Sequence, residues 1–143
     1  MNQFVNKQNE NLLDIAEQHK KQYEGADPFP NIHFSDFFEP TLLESVLKEF
    51  PNLSDSNSIK FNNPMEIKLA GKGETHFGYN TKKLMNFLNS ETFLLFLQKL
   101  TGIEELLTGD PYYIGGGLHE IKRGGLLKIH ADFNKHPKFD LDR

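Results

Sequence analysis

The chain has 143 residues, a formal net charge of -4 and no cysteine. The length suits one domain of ordinary size, and the charge argues against a protein whose main work is gripping phosphate backbones. The missing thiols exclude disulfide frameworks, cysteine-based zinc sites and cysteine nucleophiles, while 13 phenylalanines supply a real core and argue against wholesale disorder. No apolar run reaches the ~18 residues of a membrane span, and the polar start MNQFVNKQNENLLDIAEQ lacks the apolar stretch of a secretory signal. The expected location is the cytoplasm, with neither membrane nor nucleic acid as a partner.

The first ~25 residues predict an amphipathic helix with Leu12, Leu13, Ile15 and Ala16 near one stripe. It should stop near Gly25, because Asp27-Pro28-Phe29-Pro30 cannot continue it. A second helix is expected over Thr41 to Phe50, carrying Leu42, Leu43, Val46, Leu47 and Phe50 at helical spacing. Residues 51–64 read as a surface loop with strand pieces around Ile59–Phe61, and Met65 to Leu69 alternates like a half-buried strand. Gly71-Lys72-Gly73 reads as a turn, and Thr81 to Leu88 as a short helix. Ser90 is a good N-cap for the strongest stripe in the chain, Phe93, Leu94, Phe96, Leu97 and Leu100, which Gly102 should end. That stripe is expected to pack against a sheet.

Beyond Tyr112 the pattern becomes β-like. Tyr112-Tyr113-Ile114 is β-prone, Gly115-Gly116-Gly117 reads as flexible or bulged, and strands are expected over Leu118 to Lys122 and Leu126 to Asp132, with Arg123-Gly124-Gly125 between them. The glycine run lacks the Lys-Ser/Thr of a phosphate-binding loop. His33 and His76 read as structural or exposed.

The residues that point to chemistry are His130 and Asp132. On a strand, positions i and i+2 share a face, so an imidazole nitrogen and a carboxylate oxygen would stand side by side. Such a pair suits a divalent first-row metal. With a third ligand it would make the two-histidine, one-carboxylate triad of non-haem Fe(II) oxygenases. The bare spacing is equally that of a surface histidine followed by an aspartate at a strand end.

The context narrows this. Asp27-Pro28-Phe29-Pro30-Asn31-Ile32-His33-Phe34-Ser35-Asp36-Phe37-Phe38 leads into a helix, and the later segment reads GGGLHEIKRGGLLKIHADFN. Together these resemble the 2-oxoglutarate- and Fe(II)-dependent oxygenases of the prolyl 4-hydroxylase-like group, from about residue 27 onward and most specifically over Leu118 to Asn134. The resemblance implies an α+β fold of N-terminal helices packed on a double-stranded β-helix, or jelly roll. A single domain would span 1–143, with a helical part over about 1–110 and the first jelly-roll strands over about 111–143. It implies Fe(II) and 2-oxoglutarate as cofactors, with ascorbate in support, and hydroxylation of a C–H bond in a small-molecule or peptidyl substrate. His130 and Asp132 would be the first two iron ligands, and Gly124-Gly125 the turn between two paired strands.

The family's second ligating histidine lies some tens of residues further on and is followed by a basic residue that pairs with 2-oxoglutarate. Here 11 residues follow Asp132. His136 is too close to be that ligand, and Arg143 is not taken for the co-substrate arginine. The jelly roll is therefore expected to be incomplete in this chain, with weak Fe(II) binding and little turnover. Ile121 and Leu127 stand where many prolyl hydroxylases carry tyrosines that reach the co-substrate. Two other readings stay open. One is a non-catalytic binding module that self-assembles through open strand edges. The other is a cupin-like site using His119 with His130 and Asp132.

Overall fold

The structure, a computed structural model, describes residues 3–54, 57–114, 116–132 and 134–141. Gly115 of the glycine run and the terminal Arg143 lie outside the described residues. The fold is α+β. Two compact units alternate along the sequence, Met1–Phe50 with Gly78–Pro111 and Pro51–Phe77 with Tyr112–Arg143.

The first unit is helical. Local chemistry sets its boundaries. In α1 (Leu12–Glu24) the Asn11 side chain accepts from the Asp14 N–H, satisfying one of the orphan donors of the first turn. In α2 (Pro40–Lys48) proline occupies the first turn, where its missing N–H costs nothing. In α4 (Glu91–Thr101) Ser90 caps the start by accepting from Phe93 N–H. Gly102 ends it at φ +75°, a left-handed conformation that glycine adopts without a Cβ penalty.

These helices close over an aromatic core. Leu12, Ile15 and Ala16 of α1 pack with Phe96 and Leu100 of α4, joined by Val5, Phe37 and Phe87. Phe37 and Phe96 have centroids 5.5 Å apart, as do Phe93 and Phe96, while Phe4 stacks on Phe87 at 4.5 Å. The Phe93–Leu100 stripe was expected to lie on a sheet. Its partners are instead α1, Phe37 and Phe87. The correction has a simple cause: α1 carries its own apolar stripe, and the two stripes satisfy each other.

Helix α3 (Tyr79–Leu88) is capped from another helix. Its N-cap is Gly78, which has no side chain to offer. Glu49, at the end of α2, supplies the acceptor. Its Oε1 accepts from the Thr81 N–H at 2.5 Å and the Thr81 hydroxyl at 2.7 Å, and its Oε2 accepts from the Asn80 amide at 3.1 Å. A Cβ at residue 78 would collide with the Glu49 carboxylate, so glycine makes room for this cap. Partial burial pushes the Glu49 carboxyl up, but the hydrogen bonds from Thr81 and Asn80 outweigh it, and the group ends below its ordinary value. A lowered carboxylate contributes stability above the unfolded-state value and loses it as pH falls through the folded one. Glu49→Gln is therefore expected to cost about 1–2 kcal/mol at neutral pH and to flatten the loss of stability below the usual glutamate range. Urea unfolding from pH 7 to 3 checks this; an unchanged acid slope would contradict the cap.

The second unit holds a four-stranded antiparallel sheet. β1 (Ile59–Asn62) and β2 (Glu66–Ala70) form a hairpin with Ile59 opposite Ala70 and Asn62 opposite Ile67. Asn63 shapes the turn by accepting from Met65 N–H at 2.9 Å and Glu66 N–H at 3.0 Å, a local asparagine turn. On the other edge of β2 lie β3 (His119–Glu120), opposite Leu69 and Ala70, and β4 (Leu126–Leu127), opposite Glu66 and Ile67. Tyr112-Tyr113-Ile114 is not a strand; Tyr113 is buried edge-on against Phe77 at 5.4 Å.

This register corrects two expectations. β3 and β4 do not pair with each other across Gly124-Gly125. They follow one another along the same edge of β2, and residues 121–125 loop out opposite the single residue Lys68. Gly124 adopts φ +84° there, and a Cβ on Gly125 would meet the Ile67 carbonyl at 2.8 Å, so the glycines serve a bulge. The last strand also stops at Leu127 rather than Asp132. Lys128 still donates its N–H to the Met65 carbonyl at 3.0 Å, but β2 begins at Glu66 after the Asn63 turn, so among the described residues no strand pairs with 129–132.

Candidate functional site

His130 and Asp132 follow β4 on exposed backbone, so their approach does not come from the two-residue repeat of a strand. It comes from a local bend. The Lys128 carbonyl accepts from His130 Nδ1 at 2.7 Å. A carbonyl can only accept, so Nδ1 carries the proton and the neutral ring offers Nε2 as its lone pair. Nε2 lies 3.6 Å from Asp132 Oδ1. That is beyond hydrogen-bond length. An ionised carboxylate also only accepts, so the two atoms face each other as donors to a cation: a proton on Nε2, or a metal ion. Two ligands each about 2.1 Å from one metal stand about 3–3.5 Å apart at octahedral or tetrahedral angles, close to the separation seen. Their side chains are 42% and 76% exposed, respectively, so ions reach them without any opening of the fold.

The neighbouring sheet face is polar. Cross-strand pairing places Glu66, Lys68, Ala70, His119 and Leu127 on one face of the sheet. Lys68 Nζ lies 2.8 Å from Glu66 Oε2 and over the Phe61 ring. The hydrogen bond from Lys68 holds the Glu66 carboxyl below its ordinary value, and the nearby His130, when protonated, acts in the same direction. Partial burial and the Lys68 charge push the His119 imidazole down, against opposing pulls from Glu66 and Asp132. His119 and Glu66 therefore share the electrostatic surroundings of the pair. Among the described residues, no three His, Asp or Glu side chains converge closely enough to form a complete metal cluster.

His136 is placed elsewhere in its own loop, where Nδ1 accepts from the N–H groups of Lys138 and Phe139 and the ring stacks on Phe139. His76 accepts from Lys72 N–H at 2.9 Å beside its own turn. Glu66 and Lys68 were not singled out from the sequence as site neighbours. The signal was present in the alternation Glu66-Ile67-Lys68-Leu69, which puts both charges on one face, but no local pattern says that this face adjoins His130. No helix of the described residues is long and apolar enough to cross a membrane. No family model, curated protein or solved structure matches the chain.

Proposed function

We propose that the chain is a 2-oxoglutarate- and Fe(II)-dependent dioxygenase of the prolyl 4-hydroxylase-like kind, its sheet forming part of a jelly roll, with His130 and Asp132 as two of the iron ligands. The observation that carries this reading is the facing pair itself, with Nε2 and Oδ1 3.6 Å apart and Nδ1 tied to a backbone carbonyl. Metal-bound histidines commonly donate their second ring N–H in this way, which fixes the ring and leaves the other nitrogen free to ligate. One nitrogen and one carboxylate oxygen fit iron of borderline hardness. When bound, iron and 2-oxoglutarate together supply the activation of O2 for C–H hydroxylation.

The residues' own part is to hold the ion and keep its ligands oriented. Lys128 positions the imidazole through its carbonyl, and Asp132 brings the negative charge that draws in a dication. With two protein donors among the described residues and high exposure, iron binding is expected to be weak and turnover slow. The assay is 2-oxoglutarate decarboxylation with Fe(II) and ascorbate. Iron should stimulate a low rate in the unaltered chain and none in Asp132→Ala. Equal rates in both, or no effect of iron, would contradict the proposal.

A further inference from the structure

We propose that a cleft in the helical unit, separate from the His130–Asp132 pair, binds a small phosphate monoester bearing an apolar group. The cleft is open to solvent on one side and holds about 450 Å³, within the range of small-molecule sites. It forms because the N-terminal segment is stitched to the chain ahead of α2. Val5 bridges Phe38, Asn6 N–H donates to the Phe37 carbonyl at 2.9 Å, and Glu39 N–H donates to the Phe4 carbonyl at 3.0 Å. Phe4, Val5 and Leu42 give the cleft an apolar floor, suited to a hydrocarbon or aromatic group.

Its described lining carries one net positive charge in a chain that is acidic overall. Among the described residues, Lys7 and Lys83 line the cleft, against the single carboxylate of Glu39. Lys83 is steadied at the edge with its Nζ 4.4 Å from the centre of the Tyr79 ring. α2 starts in the cleft wall with Thr41 and Leu42, where the helix dipole adds positive potential and the carboxylate of the N-cap residue Glu39 offsets part of it. Two ammonium groups offer more N–H donors than the two oxygens of a carboxylate take up, and they suit the three terminal oxygens of a phosphate monoester.

The test is an NMR titration of the full chain at low ionic strength with phenyl phosphate, with phenol, inorganic phosphate and benzoate as comparisons. Phenyl phosphate should shift amides of residues 3–7, 39–45 and 80–83. Lys7→Gln and Lys83→Gln should each weaken binding about threefold to tenfold, and Glu39→Gln should tighten it about twofold to threefold, in line with single-charge interactions near a surface. The opposite signs separate ligand recognition from damage to the fold. Unchanged affinity in the Lys7→Gln/Lys83→Gln double variant, or shifts centred elsewhere, would overturn the site. Equal binding of phenol would overturn the anionic part, equal binding of inorganic phosphate the apolar part, and tighter binding of benzoate the choice of a phosphate.

Discussion

Phe96→Ala is expected to destabilise the helical unit by about 3–5 kcal/mol, the range for removing a buried phenylalanine. Phe96 is 2% exposed and its ring meets three others, Phe34 at 6.1 Å, Phe37 at 5.5 Å and Phe93 at 5.5 Å. The substitution would leave a cavity lined by large rings, which relax poorly into the space, and would also remove aromatic pairings worth about 0.5–1.5 kcal/mol each. Against a typical total stability of about 5–15 kcal/mol, that loss is a large fraction. Urea unfolding by circular dichroism reads it as a fall in midpoint with little change in slope. Leu47→Ala is the comparison: Leu47 is 74% exposed on α2, and its loss should stay within about 0.5 kcal/mol. A cost below 1 kcal/mol for Phe96→Ala would contradict its central place in the core.

The second large effect concerns the exposed pair. His130→Ala and Asp132→Asn are each expected to weaken divalent-metal binding by at least about tenfold, since even residues that only orient a metal ligand commonly contribute 10–100-fold. The two substitutions act differently. His130→Ala removes the nitrogen lone pair that the Lys128 carbonyl orients. Asp132→Asn keeps the shape and removes the charge. An ordinary exposed ion pair between a protonated His130 and Asp132 would contribute at most about 1 kcal/mol to stability and would show no dependence on added metal. Comparing metal affinity with thermal stability in the same variants separates the two.

The helices were legible because their signals are local. The stripes at 12–16 and 93–100, the Ser90 cap and the Gly102 stop each lie within a few residues of what they determine. The packing partner of the Phe93–Leu100 stripe was not legible in the same way, because an apolar face does not say whether a helix or a sheet will cover it. The sheet was legible in part: Ile59–Asn62 and Glu66–Ala70 carry strand patterns, while the length and placement of β3 and β4 depend on β2, some fifty residues earlier. The Asn63 turn shortens β2, and that is what ends β4 at Leu127. At the site, the His130–Asp132 spacing was readable and the means of bringing the pair together was not, since a bend at Ile129, closed by the Lys128 carbonyl, does the work assigned to a strand. The cleft left no trace in local pattern because its walls come from three separated segments, 3–7, 39–45 and 80–83.

The metal assignment is tested most directly by paramagnetic broadening of amide signals on titrating the full chain with Mn(II). Binding at the pair predicts that broadening begins around residues 128–132, spreads to His119 and Glu66 on the adjacent sheet face, and disappears from that region in both His130→Ala and Asp132→Asn. Broadening centred on other carboxylates, or unchanged around 128–132 in those variants, would contradict it.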